Sequence, residues 1–218
     1  RIDVVHLAPS PAFRRIPAAA FDILKQKYGI RLPFALYVGD VNWNKNIPGL
    51  LRAFAVLADD SKFKNVMLVL VGKAFLNKSL PEILEIHRLI DSFHLGNRIV
   101  FPGYVSESDL AGMYSMAACL VQPSHYEGFG LPVLEAMASG CPVVVADNSS
   151  LSEIAGPSVK VHADDYRDIA GGIKSVLISS DKEREKNIRD GFEWVKSFTW
   201  QKVARETVAS YEKVVSRV

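Results

Sequence analysis

Glu127 and Glu135 stand eight residues apart in the stretch Pro123-Ser-His-Tyr-Glu-Gly-Phe-Gly-Leu-Pro-Val-Leu-Glu-Ala-Met-Ala-Ser-Gly140, with Gly128 and Gly130 between them. An apolar run ends at Val121 and a helical period starts near Leu131, so the glycines fall in a strand-to-helix turn. Glycines at such a turn let backbone N–H groups come close to a ligand. The free N–H groups and positive dipole end of the following helix make an anion site suited to a diphosphate. Glu135 falls in the first turns of that helix, facing the same end, where a carboxylate can accept from two vicinal hydroxyls such as those of a ribose. Taken singly, the glycines would only make a turn and Glu135 would only complement the helix dipole. Together, at this spacing, they describe a site for a phosphorylated, hydroxyl-bearing ligand.

The surrounding elements must present this turn at the end of a sheet. Phe34–Val38, Val66–Val71, Arg98–Phe101, Ala118–Val121, Pro142–Ala146 and Ser158–Val161 are short apolar runs that read as strands. Between and after them, helical period runs through 47–58, 80–93, 107–116, 131–139, 165–179, 181–196 and 199–216. Ser106 with Asp109 resembles a capping box at the third of these helices. Strands apolar on both faces, alternating with helices, predict a doubly wound parallel α/β sheet, Rossmann-like. Ligands in such sheets bind beyond the strands' carboxyl ends. Three loops, 39–46, 72–80 and 122–130, therefore carry the search.

The 218 residues, 49% hydrophobic with net charge +2, exclude disorder as the main state. The scattered charges lack the basic stripe that a nucleic-acid partner requires. Cys119 and Cys141 lie in apolar runs and read as buried thiols, with no CxxC pair for zinc or redox chemistry. No apolar stretch reaches the length of a bilayer span, and no secretory h-region opens the chain. A cytoplasmic location is expected, with membrane contact arising only through another domain, peripherally at the inner face. The chain starts without Met inside what reads as a strand, followed by a proline-marked linker (Pro9, Pro11, Pro17). It is expected to be a fragment.

Glu127-Gly-Phe-Gly-Leu followed by Glu135-Ala-Met-Ala resembles the E-x7-E motif of the retaining group 1 glycosyltransferases, two-domain GT-B-fold enzymes that use UDP-, GDP- or ADP-activated sugars. Tyr37-Val-Gly-Asp-Val-Asn-Trp-Asn-Lys-Asn46 resembles the family's phosphate loop, Pro102-Gly-Tyr-Val-Ser its base-contacting turn, Gly140-Cys-Pro-Val-Val-Val-Ala the following strand, and Ser197-Phe-Thr-Trp200 the start of its C-terminal helix. The resemblance implies Glu135 on the ribose, the backbone of Gly128, Phe129, Gly130 and Leu131 at the phosphates, Lys45 on the diphosphate and Glu127 on the transferred sugar. It further implies a close approach of loop and leaving group at Gly39 and a backbone contact to the base at Val105. Residues 1–20 become an interdomain segment, 21–198 the nucleotide-sugar-binding domain, and 199–218 a helix packing back toward an absent N-terminal acceptor domain. The implied partners are a nucleoside-diphosphate sugar and a carbohydrate or lipid-linked acceptor; base, sugar and acceptor stay open.

Asp40 and Asn44 stand where many members place arginine, which leaves Lys45 as the motif's cation, with Lys73 either a second cation or a solvated surface lysine. Breaking an anomeric bond to a diphosphate develops negative charge that a preorganised positive group must meet. No Asp-x-Asp occurs; Asp59-Asp60 fall at a helix end and Asp164-Asp165 at a helix start, where acids are favourable anyway. No metal and no cofactor are expected, with Lys45 and the helix terminus doing the work. His87 and His94 read as core-edge or surface residues of one helix, whereas His125, beside Glu127, is a candidate contact to donor or acceptor. The chain has neither a G-x-G-x-x-G after its first strand nor a P-loop, so dinucleotide oxidoreductases and P-loop NTPases are excluded. A non-catalytic nucleotide-sugar-binding module is the alternative to a transferase.

Overall fold

Strands whose two faces are both apolar must be covered twice, and the chain does this with helices on either side of one sheet. A computed structural model describes residues 2–216. It contains β1 (Phe34–Val38), β2 (Met67–Val71), β3 (Ile99–Gly103), β4 (Cys119–Gln122), β5 (Val143–Ala146) and β6 (Val159–Val161). All five pairings are parallel, in the order β3-β2-β1-β4-β5-β6. This is the doubly wound, Rossmann-like arrangement, and its strand order reverses between β1 and β4.

Alternation along the strands divides the core in two. Phe34 and Leu36 face α1 (Phe21–Tyr28), α4 (Glu107–Met116), α5 (Leu131–Ala138) and the short α6 (Leu151–Ile154). Ala35 and Tyr37 face α2 (Ile47–Ala58), α3 (Pro81–Ser92) and α7 (Tyr166–Leu177). The chain ends in α8 (Asp181–Val195), which rests against α5, and α9 (Trp200–Val215), which contributes no buried residue. Cys119 and Cys141 are free, buried thiols, and burial pushes Cys119 up to about 12.

Several expectations need correction. Residues 2–10 form no strand: Val4-Val5 is too short an apolar run, and Pro9 and Pro11 remove ladder donors. The segment instead lies along α9, where Trp200 Nε1 donates to Pro9 O (3.2 Å) and Lys213 pairs with Asp3 (3.3 Å). Phe13 then enters the core and meets Tyr114 edge-on. Residues 1, 217 and 218, within the expected terminal segments, lie outside the described residues. His94 is not on the helix; α3 ends at Ser92, and His94 takes a left-handed conformation (φ 53°) in the following turn. Asp109 does not close a capping box: Ser106 accepts from its N–H, but its carboxylate turns to Lys27 (2.6 Å) and Tyr28 (2.7 Å) and so docks α1. The reciprocal box occurs at Ser180 and Glu183 instead. Helices α1 and α6 were not anticipated from the apolar pattern.

Candidate functional site

Because β1 and β4 are neighbours, the loops leaving them meet at the switch point, although they are far apart in sequence. The first, 39–46, tightens into a single turn of 3-10 helix at Trp43–Lys45 and then reverses at Asn46, which is left-handed (φ 55°). Asn46 caps α2 by accepting from Gly49 N–H, while its Nδ2 donates to Pro123 O (3.0 Å) and Ala163 O (2.7 Å). One buried side chain thus ties three loops together and sets the direction of Lys45.

Lys45 Nζ donates to both carboxylate oxygens of Glu127, at 2.9 and 2.7 Å. Glu127 is 7% exposed. Its Oε1 also accepts from Gln122 Nε2 (2.9 Å) and Ser124 Oγ (2.8 Å), both from buried side chains. Oε1 is therefore saturated, whereas Oε2 meets Lys45 alone and keeps acceptor capacity. The ammonium has three donors and spends two on Glu127, so one remains for an incoming anion. Lys45 and Glu127, separate in the sequence reading, form one partly buried ion pair.

The glycine turn is braced from a side the sequence reading missed. Ser149 Oγ accepts from Glu127 N–H, Ser150 Oγ donates to Glu127 O (2.8 Å) and Phe129 O (3.0 Å), and Asn148 Nδ2 donates to Ser124 O. These residues follow β5, a loop outside the three selected; a run of small polar residues after a buried strand was the available signal. Gln122 carried a similar signal, as the polar end of an otherwise apolar strand.

The two glycines have different reasons. Gly130 is left-handed (φ 98°) at the start of α5, and an added Cβ would stand 2.7 Å from Leu151 Cδ2. A Cβ on Gly128 would meet nothing within 4 Å. Gly130→Ala should therefore cost about 1 to 3 kcal/mol in a denaturant melt. Gly128→Ala should stay within about 0.5 kcal/mol of wild type, yet weaken diphosphate binding in calorimetry, because the new methyl group occupies the approach to the N–H groups.

Glu135 sits half-buried on α5, and its Oε2 accepts from Tyr114 OH at 3.1 Å. Burial lifts its carboxyl to about 6, against the pull of the Tyr114 hydrogen bond and with a small push from Glu107. Gly39 N–H donates to Val71 O, and a Cβ on Gly72 would collide with Gly39 O, so these two strand ends are in close contact. Val105 is 7% exposed, its side chain held in the core beside the turn after β3. Leu131 opens α5 and Phe129 precedes it, both half-buried. The ring of Phe129 lies 6.0 Å from that of His6.

Asn44 stitches the two loops, accepting from His125 N–H (2.8 Å) and donating to Tyr126 O (3.0 Å). Asp40 accepts from Val41 N–H. Lys73 is exposed and lies 4.8 Å above the Tyr104 ring. Asp165 caps α7, and Asp60 caps the short turn after α2. Among the described residues, no three His, Cys, Asp or Glu side chains converge as metal ligands. No helix there is long and apolar enough to cross a membrane. An open cleft of about 720 Å³ beside Gly156 and Trp194 includes none of these loop residues, so the crevice at the switch point, where anion donors and carboxylates converge, is the stronger candidate.

Residues 21–194 match the family described as "Glycosyl transferases group 1". The chain is 32% identical over 204 residues to the O-antigen chain mannosyltransferase B of Escherichia coli, covering 91% of this chain and 50% of that protein. It is 32% identical over 178 residues to the MMP alpha-(1->4)-mannosyltransferase of Mycolicibacterium hassiacum, covering 80% and 41%. The chain thus spans half or less of the length of these curated relatives. Among solved structures, sucrose-phosphate synthase from Thermosynechococcus elongatus superposes with TM-score 0.79 at 26% identity over 98% of this chain and 52% of that one. The Anabaena HepE protein, solved in complex with UDP and glucose, superposes with TM-score 0.80 at 19% identity, covering 98% and 56%.

Proposed function

The chain belongs to the group 1 glycosyl transferases, and from that premise we propose that it is the donor-binding half of a two-domain GT-B enzyme that transfers a sugar, with retention, from a nucleoside diphosphate to a carbohydrate or lipid-linked acceptor. In this reading the segment 1–20 connects the halves, 21–198 binds the donor, and 199–218 returns toward an N-terminal acceptor domain. The observation that carries it is the Lys45–Glu127 pair beside the start of α5, at the switch point of the sheet. The diphosphate lies against the free N–H groups around Gly128 to Leu131 and the third donor of Lys45. Glu135 accepts from the ribose hydroxyls, and Oε2 of Glu127 accepts from a hydroxyl of the transferred sugar. Gly39 and Gly72 keep the leaving group's approach low, and the backbone at Val105 faces the base.

The chemistry follows from charge. The anomeric C–O bond breaks with its electron pair passing to the β-phosphate, and Lys45 with the α5 dipole meets that growing charge. The acceptor oxygen bonds to the same face of the anomeric carbon while its proton passes to the departing phosphate. Glu127, held by three donors, orients the sugar rather than attacking it. No metal is required in this scheme. Nucleotide affinity should be unchanged by EDTA, and a tenfold or greater rise on adding magnesium or manganese would overturn it. Calorimetry of the chain with UDP, GDP and ADP, alone and as sugar conjugates, tests the reading: one diphosphate is expected to bind, with slow or no transfer by this half alone. Failure of all three to bind would refute it.

A further inference from the structure

The loops after β1 and β4 are matched residue for residue, and the outermost match lies outside the donor site. Lys45 pairs with Glu127 and Asn44 hydrogen-bonds Tyr126. One step further out, Trp43 stacks on His125, with ring centroids 6.4 Å apart and planes inclined by 25°. Trp43 is 77% exposed, and its indole N–H donates to no protein group among the described residues. His125 is held from behind, its Nδ1 3.2 Å from Asp164 Oδ1, and the Asp164 side chain is 94% exposed. The pair thus presents a large aromatic face to solvent beside an exposed carboxylate and an uncommitted indole N–H.

We propose that the Trp43–His125 stack is a platform for the pyranose ring of the acceptor, with Asp164 accepting from its hydroxyls. The inference rests on the transferase reading and extends it to a second ligand. The stack stands two positions from the Lys45–Glu127 pair on each loop, about 4 to 7 Å along a 3-10 or extended backbone. That is close to the span of one sugar ring, so an acceptor seated on Trp43 places a hydroxyl beside the anomeric carbon of a donor held at Lys45. The flat, apolar face of an indole suits the C–H face of a pyranose, while the exposed carboxylate and the free indole N–H suit its polar rim. A nucleobase would use the ring but not the carboxylate, which would repel the donor's phosphates.

The test labels the protein with 5-fluorotryptophan, which reports Trp43, Trp194 and Trp200 separately, with Trp43→Phe assigning the signal. Methyl α-D-mannopyranoside and an α-linked mannose disaccharide are the probes, chosen because relatives of this chain are mannosyltransferases. The Trp43 resonance is expected to shift saturably at millimolar sugar while the other two stay fixed. Saturation transfer to the sugar should vanish in Trp43→Ala and stay within about tenfold in affinity in Trp43→Phe. UDP and GDP are titrated separately and should bind wild type and Trp43→Ala alike. A Trp43 signal unmoved by either sugar overturns the proposal, as does one moved by nucleotide alone, which would make the stack a base platform. Loss of the shift in a longer chain carrying the N-terminal half would assign Trp43 to the domain contact and equally overturn it. Nucleotide binding without sugar binding defeats this inference only, and sugar binding without nucleotide binding defeats the donor reading only.

Discussion

Replacing Lys45 by alanine in the complete two-domain enzyme is expected to lower kcat by roughly 100-fold or more, with a much smaller change in donor affinity. Charge on the leaving phosphate is greatest in the transition state, so a cation there matters most at that point. Asp40 and Asn44 cannot substitute: one is anionic, and the other is engaged with Tyr126 and His125. The same variant should cost about 2 to 4 kcal/mol of stability, because it strips the cation from a carboxylate that is 7% exposed. Adding Glu127→Gln should restore most of that stability and none of the transfer. Recovered stability in the double variant would show that the single variant's stability loss comes from the uncompensated buried carboxylate. Lys45→Arg should recover only part of the rate, since a planar fork cannot reproduce the position of a compact ammonium. If alanine leaves kcat intact and raises KM alone, charge stabilisation lies elsewhere, and exposed Lys73 is the next candidate.

Donor binding should also weaken on acidification, through Glu135. Its carboxyl, raised by burial to about 6, accepts from the ribose hydroxyls most strongly when ionised. Affinity for a nucleoside-diphosphate sugar, whose phosphates do not titrate in this range, should be level above pH 7. It should then fall below about pH 6 and level off near the affinity of a variant that lacks this carboxylate. Glu135→Ala should lower affinity by about 1 to 3 kcal/mol at pH 7.5 and abolish the pH dependence. A 2′,3′-dideoxy donor should bind wild type and the variant equally. Full discrimination between the two proteins by that analogue would remove the ribose assignment. Folding stability moves the same group in a defined direction. The folded chain holds the Glu135 proton more tightly than the unfolded chain does, so between pH 4.5 and about 6 this group's contribution declines as pH rises, by about 2 kcal/mol. Glu135→Gln should flatten that part of the profile.

Most of the fold was legible because burial on both faces leaves a mark in one dimension. Phe34–Val38 and Met67–Val71 are apolar throughout since helices cover both sides, and their shortness and terminal glycines favour strand over helix. The edge strand Val159–Val161, with exposed Lys160 at its centre, is correspondingly faint. Helix α1 escaped because its buried residue is Leu24 alone, so its apolar period is weak. The N-terminal segment was misread as a strand for a related reason: Val4 and Val5 carry strand propensity, but only a free sheet edge could have used it, and α9 offered side-chain partners instead.

The local chemistry of the site was in the sequence. Gly128, Gly130 and Glu135 lie within one strand-turn-helix unit, and spacing alone fixes the relation of a turn to the helix it opens. Relations between units were not. Lys45 and Glu127 are 82 residues apart, and they pair because β4 lies beside β1, a neighbour relation that depends on which crossover goes to which side of the sheet. The same adjacency brings Asn46 to Pro123, Trp43 to His125, and Ser149 and Ser150 to the glycine turn. The raised carboxyl of Glu135 likewise exists only where packing around α5 buries it, against the pull of the Tyr114 hydrogen bond. Residue types and short spacings record what each segment can bind. Which segments share a binding site is set by strand order, and burial then decides the charge each group carries there.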